Sequence, residues 1–202
     1  GGGVWITYNG RSPKLSHLAD GEWKHLTPPN SKGQRMSMAL CEDGDGRILV
    51  SPRKSGVARW DGKAWTVWRA ADTGLPSDFV RVIRCGHDGT LYFGTTDLGA
   101  EGVGGLAILR DGKWTVHTQS EGGLASYRVW DICVDRAGNV WCATSRGVSR
   151  LSPDGQWRTF STRNSGLAFD FVMGLAEAPD GAIWFATARG VSRYKPPADG
   201  PK

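Results

Sequence analysis

Short segments with alternating apolar and polar residues occur along the whole chain, separated by turns rich in Gly and Asp. The clearest example runs from Val129 to Thr162, where the turns DRAG, SRG and PDG join the segments VWDICV, NVWCATS, GVSRLS and QWRTFST. A period of two predicts β-strands, and tight turns between strands predict antiparallel hairpins. The stretch therefore predicts one up-and-down sheet of four short strands. No window has a 3.6-residue period, so we expect no helix longer than about two turns.

The four-strand unit recurs along the chain. One copy consists of VRVIRC, TLYFGTT, GLAILR and DGKWTVHT, and another of MALCED, RILVSP, GVARW and DGKAWTVW. The first copy, from VWITYN to GEWKHLT, lacks its innermost strand, and the last copy, from VMGLAE to SRYK, ends before its outer strand. The outer strands follow a DG turn and carry a Trp at spacings of 42, 49 and 43 residues, namely Trp23, Trp65, Trp114 and Trp157.

A strand-rich repeat of this length is typical of a β-propeller with one four-stranded blade per repeat. The sequence therefore predicts an all-β fold of four-stranded antiparallel blades, about four to five in number. The nominal count is five, with incomplete terminal blades, in a single domain or propeller segment over residues 1–202. We expect the Trp rings to fill the space between neighbouring twisted sheets.

The incomplete ends leave three arrangements open. A nominal five-blade ring would have one blade without its inner strand and another without its outer strand. A four-blade ring would use GEWKHLT to complete the last blade. The chain would otherwise be a segment of a larger propeller. Because exposed sheet edges invite pairing, self-association through the terminal blades is expected in the last two cases, and we expect the termini to approach each other or to pair with a neighbouring chain.

Composition narrows the classes of partner. The net charge of +5 is mild and no cluster of five Lys or Arg occurs, so nucleic-acid binding has no support. No apolar run approaches 18 residues, which argues against membrane insertion. The chain opens with GGGVWIT, already inside a strand, so we expect that any leader has been removed or that the chain is an excised piece.

Metals and cofactors are not expected. The four cysteines have no CxxC or Cys/His spacing of a zinc site and are interpreted as small buried hydrophobes, with disulfides or redox chemistry as alternatives. The Asp-Gly turns lack the alternating carboxylates and closing Glu of a calcium loop, so each Asp is expected to bond its own turn.

The repeat resembles the two-component-regulator propeller repeat. The resemblance rests on the ordered residues G-L, V, I, D, G, W, T and G-V, as in SGLAFDFVMGLAEAPDGAIWFATARGV, and on the G-L pairs at Gly74, Gly123 and Gly166. Propellers of that family commonly form the extracytoplasmic sensing part of hybrid histidine kinases. The resemblance alone implies a periplasmic or extracellular location and a sensing role.

One face of the predicted propeller carries both the inter-blade linkers and the turns between second and third strands. Loops on a rigid scaffold often hold the ligand site. Candidate binding residues on this face are Arg53, Asp78, Phe79, Tyr127, Arg128, Trp130, Arg146, Asp170, Phe171 and Arg189. Arginines beside aromatic residues suit a small polar or anionic ligand or an acidic protein loop. The alternative is that the Phe residues plug between blades and that the arginines pair with neighbouring Asp.

The insertion DLGAEGVGG after TLYFGTT accounts for the longest spacing. Insertions in repeat proteins map to loops, often on the binding face. The insertion is interpreted as a surface loop without a role in binding. The alternative is a flexible lid over the candidate ligand site.

Function is predicted at the level of class. We expect a non-enzymatic ligand-binding or protein-interaction module, with a lectin-like propeller as the alternative and a lyase-type enzyme as a weaker one. Lyases with similar repeats use His and Glu over a metal. Here the four histidines fall at unrelated repeat positions: His17, His25, His87 and His117.

Overall fold

The computed structural model describes residues 3–8, 15–29, 31, 36–96 and 103–196. Over these residues the chain forms five antiparallel sheets of three or four strands, so the predicted all-β fold is confirmed. The helical content of the described ranges is one 3₁₀ turn, η1 (Gln119–Glu121). No helix within those ranges is long and apolar enough to cross a membrane.

We number the sheets as blades 1 to 5 in chain order. Blade 1 contains β1 (Val4–Thr7), β2 (Leu15–Ala19) and β3 (Glu22–Leu26). Blade 2 contains β4 (Met36–Glu42), β5 (Ile48–Pro52), β6 (Val57–Trp60) and β7 (Trp65–Trp68). Blade 3 contains β8 (Val80–Cys85), β9 (Leu91–Thr96), β10 (Gly104–Arg110) and β11 (Lys113–His117). Blade 4 contains β12 (Val129–Val134), β13 (Val140–Thr144), β14 (Gly147–Leu151) and β15 (Trp157–Phe160). Blade 5 contains β16 (Val172–Glu177), β17 (Ile183–Thr187) and β18 (Gly190–Tyr194).

Every sheet follows the chain order of its strands, as expected for an up-and-down blade. Among the described residues, blade 1 shows no innermost strand and blade 5 shows no outer strand, both as predicted. The strand GEWKHLT, β3, pairs with β2 and not with β18. The four-blade arrangement, in which β3 completes the last blade, is therefore wrong for this structure.

The core lies between adjacent blades. Alternate residues of one strand face opposite neighbours, and β13 is buried along its whole length because blades cover both of its sides. Trp141 faces blade 5, where it packs with Phe185, whereas Val140 packs with residues of blade 3. The outer-strand Trp114 and Trp157 join the clusters with the preceding blade, which confirms that they pack between blades.

The two end blades do not cover each other. On blade 1, Val4 and Trp23 are 56% and 47% exposed. On blade 5, Trp184 and Val191 are 41% and 63% exposed. The described residues thus form an arc of five blades with a bare apolar face at each end, and not a closed ring.

Backbone hydrogen bonds place the linkers on one face of the arc. Asp170 O accepts from Gly147 N of blade 4 at 2.7 Å, and Phe171 O accepts from Ala188 N of blade 5 at 3.0 Å. Each linker is therefore tied to the turns between the second and third strands of the blades that it joins. We call this side the mouth face, and its composition agrees with the face predicted from the sequence.

The four cysteines have free thiols, with Cys142 fully buried and the others half-buried against the core clusters. Burial raises the pKa of the Cys41 thiol to about 11 and raises that of Cys142 as well. Both observations agree with small buried hydrophobes. The insertion predicted as a loop falls largely on residues 97–102, outside the described residues.

Candidate functional site

A β-bulge lies near the start of the innermost strand in three consecutive blades. The pairing register shifts by one residue in β8, β12 and β16. The extra residues are Arg81, Trp130 and Met173. A bulge leaves its extra residue out of the ladder and re-aims that side chain. The bulges therefore give three blades the same means of directing a side chain towards the axis of the arc.

These side chains meet in a cavity at the axis, which we call the channel cavity. Its volume is about 230 Å³. The innermost strands of blades 2 to 5 contribute its lining, which consists of Ala39, Arg81, Val82, Arg84, Trp130, Asp131 and Met173. Residues far apart in sequence thus converge at one place, as a binding pocket requires.

Arg81 is the distinctive charge of the channel cavity. Its guanidinium carbon lies 4.1 Å from the centroid of the Trp130 ring, within the range of a cation–π contact. The structure gives Arg81 no carboxylate partner within the described ranges. Burial lowers the pKa of Arg81 because it removes water from the charged form, yet a guanidinium stays protonated at neutral pH. The site therefore carries a half-buried positive charge whose donors can bind an anion.

The second arginine of the channel cavity is neutralised. Arg84 Nη2 donates to Asp131 Oδ1 at 2.8 Å, and Arg84 Nε donates to Ile132 O at 3.1 Å. Asp131 Oδ2 also accepts from Leu175 N of blade 5 at 2.9 Å. Asp131 thus joins blades 3, 4 and 5, which leaves the charge of Arg81 uncompensated.

Four predicted arginines lie in linkers and turns of the mouth face, outside the lining of the channel cavity. None of the four is in an ion pair with any residue that the structure describes. Arg146 is exposed at the turn between β13 and β14. The other three lie 5.4, 5.2 and 4.6 Å from ring centroids of linker residues: Arg53 over Phe79, Arg128 over Tyr127 and Arg189 over Phe169. The proposed pairing with neighbouring Asp is not what the structure shows for these arginines.

The two predicted aspartates are engaged in the linkers. Asp78 accepts from Ala70 N at 2.7 Å and pairs with Arg69 at 3.2 Å. Asp170 accepts from Thr162 N at 2.7 Å. Each carboxylate accepts a hydrogen bond from a backbone N–H within its own linker, so these bonds stabilise the loop that leads into the next blade.

The predicted aromatic residues divide between packing and the cavity. Phe79 is buried beneath Arg53, which fits the interpretation that it plugs between blades. Phe171 contacts the Trp130 ring edge-on, with 5.0 Å between centroids. Of the ten candidates, Trp130 lines the channel cavity and Phe171 supports its ring.

Arg81, Arg84 and Met173 line the channel cavity but are not among the residues predicted from the sequence. Arg81 and Met173 occupy the same repeat position as the predicted residue Trp130, so an alignment of the repeats on Trp130 identifies both of them. The sequence signal at this position is weak because Arg, Trp and Met have different chemistry. What the three residues share is their place in a β-bulge, which is a feature of the backbone pairing.

No group of three or more His, Cys, Asp or Glu side chains that could hold a metal occurs among the residues described. The histidines are placed separately. His17 stacks on Trp5 at 3.9 Å between centroids, and His25 bonds Ser16 in blade 1. His117 lies edge-on to Trp157, at 5.3 Å between centroids, and His87 lines a groove on the opposite face.

Two larger grooves lie between blades on the face opposite the mouth. Their volumes are about 410 and 420 Å³. Their walls come from turns and strands of two neighbouring blades, and some of the charged residues there are paired, as Arg110 is with Asp88 at 3.2 Å. Arg59 in the first groove lies 4.9 Å from the Trp68 centroid, which makes it a matched control for Arg81. We favour the channel cavity because four blades converge on it.

Comparison with known proteins supports the repeat assignment. Residues 123–146 match the family model described as two component regulator propeller, which confirms the resemblance over one repeat. No curated protein matches the chain in sequence.

Solved structures share the fold. The extracellular domain described as part of a hybrid two component system from B. thetaiotaomicron is 21% identical with a TM-score of 0.79, over 96% of this chain and 26% of that one. An inactive virginiamycin B lyase from Staphylococcus aureus with quinupristin is 19% identical with a TM-score of 0.70, over 98% of this chain and 68% of that one. PorZ, a surface component of the type-IX secretion system of Porphyromonas gingivalis, is 15% identical with a TM-score of 0.71, over 96% and 30%. At these identities the likeness shows the fold alone, and the chain spans about a quarter of the length of the first structure.

Proposed function

We propose that this chain is a non-enzymatic ligand-binding module that takes a small anionic ligand in the channel cavity. Arg81 supplies the charge, Trp130 supplies an apolar floor, and the mouth-face arginines attract the ligand. The single observation that carries the proposal is the guanidinium of Arg81, held on the Trp130 ring without a carboxylate partner among the described residues. A guanidinium fork fits carboxylate and phosphate oxygens in pairs.

The size of the cavity limits the ligand. At about 230 Å³ it lies below the usual range of about 300–1,000 Å³ for drug-sized ligands. A short carboxylate or a phosphate group is therefore favoured over a large metabolite. A sugar stacked on Trp130 is less favoured, because Arg81 and Phe171 already contact that ring.

The proposed setting is the sensing part of a signalling system outside the cytoplasm. Two observations support it: the two component regulator propeller match over residues 123–146, and the similarity to an extracellular domain of a hybrid two component system. In that setting, other parts of the assembly would respond to the bound ligand, and the module would not need to convert the ligand chemically.

The test is calorimetric titration of the chain with citrate and inorganic phosphate, using glycerol as the neutral control. Arg81→Met removes the charge and keeps an unbranched stem on Trp130. Because hydrogen bonds to charged groups contribute about 1.5–3 kcal/mol, we expect binding to weaken by about tenfold or more. Arg59→Met is the matched control, since Arg59 also lies on a Trp ring but in the groove on the opposite face.

The contribution of the mouth-face arginines is tested separately with the double variant Arg146→Ala and Arg189→Ala. Both side chains are exposed, so the free energy of unfolding should change little. Anion binding should weaken and lose part of its salt dependence, because two attracting charges are gone. Equal binding by wild type and Arg81→Met, or loss in Arg59→Met alone, would refute the channel cavity as the site. Absence of binding by either anion would refute a small-anion ligand.

A further inference from the structure

The groove between blades 2 and 3, on the face opposite the mouth, combines an apolar wall with unpaired charges. We call it the blade 2–3 groove, and its volume is about 410 Å³. Its apolar wall consists of Trp68, Leu91, Leu109 and Trp114. The two Trp rings meet edge-on, with 5.9 Å between their centroids. A concave apolar surface with a few polar groups is the usual form of a small-molecule site.

Arg59 of β6 is the unpaired positive charge of the blade 2–3 groove. Its guanidinium carbon lies 4.9 Å from the centroid of the Trp68 ring. Its Nε is buried and has no hydrogen-bond partner among the described residues, and no ion pair that the structure describes includes Arg59. A buried donor without a partner costs free energy. A carboxylate bound in the groove would supply the missing acceptor.

Asp111 is the unpaired negative charge of the groove. Asp111 and Gly112 form the two-residue turn between β10 and β11, and both have positive φ, at +49° and +73°. A type I′ turn needs this backbone conformation, and its own backbone closes it. The Asp111 carboxylate has neither an ion pair nor a hydrogen bond with any residue that the structure describes, so it can accept from a ligand.

The corresponding turns of blades 2 and 4 use their carboxylates differently. Asp61 accepts from two backbone N–H groups of its own turn, at 2.8 and 2.7 Å. Asp154 accepts from the Ser152 hydroxyl of its turn and from Gln156 N at 3.4 Å. In those two blades the carboxylate stabilises the turn, whereas in blade 3 the turn leaves the carboxylate of Asp111 available.

The remaining charges of the groove engage one another. Arg47 pairs with Asp45 and also with Asp43, at 3.7 Å. These three side chains together carry one negative charge in excess, which disfavours a purely anionic ligand. A ligand with one carboxylate and one ammonium group would instead be matched by Arg59 and Asp111.

We propose that the blade 2–3 groove binds a free amino acid with a large apolar side chain. Arg59 binds its carboxylate, Asp111 binds its ammonium group, and the side chain lies against Trp68 and Trp114. The equivalent groove between blades 3 and 4 has Ile108 at the repeat position of Arg59, so it lacks the positive charge that the ligand requires. The site is separate from the channel cavity, and its ligand belongs to a different chemical class.

The probe is L-phenylalanine, titrated into the chain in a calorimeter. Two analogues separate the charged contacts: 3-phenylpropionate keeps the carboxylate and lacks the ammonium group, whereas phenethylamine keeps the ammonium group and lacks the carboxylate. We expect each analogue to bind about tenfold more weakly than phenylalanine, or weaker still, because each loses one charge-assisted hydrogen-bonding group.

Two variants assign the contacts to residues. Arg59→Met should weaken phenylalanine binding by about tenfold or more and leave phenethylamine binding unchanged, because phenethylamine has no carboxylate for Arg59 to bind. Asp111→Asn should weaken phenylalanine binding to a similar extent and should not weaken the binding of 3-phenylpropionate. Circular dichroism of both variants checks that the sheets are intact.

The chain offers a matched control for each variant. Arg150 has the repeat position of Arg59, lies 5.7 Å from the Trp141 centroid and also has an unpartnered Nε, but it lies outside the lining of the groove. Arg150→Met should therefore bind phenylalanine like the parent chain. Asp154→Asn should do the same, because the Asp154 carboxylate bonds its own turn.

Three results would overturn the proposal. The first is that phenylalanine does not bind at millimolar concentration, and the second is that both analogues bind as tightly as phenylalanine. The third is equal loss of binding in Arg59→Met and Arg150→Met. Arg81→Met distinguishes this site from the channel cavity: it should weaken anion binding and leave phenylalanine binding unchanged, and loss of phenylalanine binding in that variant would place the amino acid in the channel cavity instead.

Discussion

Trp141 offers the sharpest test of how the blades hold together. Its side chain is fully buried and touches three rings of blades 4 and 5, with centroid distances of 5.5, 5.9 and 5.6 Å to Phe160, Phe185 and Tyr194. Its Nε1 donates to Asp135 Oδ2 at 2.7 Å. Trp141→Ala removes all of these contacts, so we expect a loss of about 3–5 kcal/mol in the free energy of unfolding.

Two further variants separate the contribution of the hydrogen bond to Asp135 from the contribution of burying the ring. Trp141→Phe keeps most of the ring and removes the hydrogen bond to the buried Asp135, which should cost about 1–3 kcal/mol. Trp184→Ala is the matched control, because Trp184 has the same position in β17, opposite Ala176, as Trp141 has in β13, opposite Cys133. Trp184 is 41% exposed, so its replacement should cost less than about 2 kcal/mol.

Urea unfolding followed by circular dichroism measures the three differences. A loss below about 1 kcal/mol for Trp141→Ala would refute the reasoning, because the ring would then contribute no more than an exposed side chain. Equal losses for Trp141→Ala and Trp184→Ala would refute the statement that the blade 5 face is bare.

Two other predictions concern glycines and thiols. Gly123→Ala should lower the urea midpoint of unfolding, since its Cβ would lie 2.6 Å from Trp157, whereas Gly166→Ala should not lower the midpoint because no described residue lies within 4 Å of its Cβ position. Cys41 and Cys142 should react with iodoacetamide at pH 8 far more slowly in the folded chain than in urea, because burial raises both thiol pKa values. A raised pKa means that stability is fully present below the unfolded value, near 9.0, and falls as pH rises towards about 11 for Cys41. Equal alkylation rates, or stability that is constant from pH 8 to 11, would contradict this account.

Of the residues that line the channel cavity, the sequence indicated only Trp130 as a candidate. Trp130 was found because it opens an inner strand next to a linker, and the mouth face was found because turn and linker positions repeat. Arg81 was missed because its role depends on a bulge, and a bulge changes the direction of one side chain without changing the alternation of the residues around it. The ion pair between Arg84 and Asp131 joins residues 47 positions apart, which no local pattern indicates.

The sequence by itself determined the strands, their order within each blade and the incomplete blades at both ends. These depend on alternation and turn chemistry, which are local properties of the chain. Only the tertiary structure decided that β3 remains in blade 1, that the described blades form an open arc, and that Arg81 lies on Trp130 without a described carboxylate partner. It also decided that Trp141 is buried while Trp184 is exposed, although both occupy the same repeat position. The reason is physical: the sequence of a repeat specifies which faces are apolar, but burial depends on whether a neighbouring blade is present to cover them.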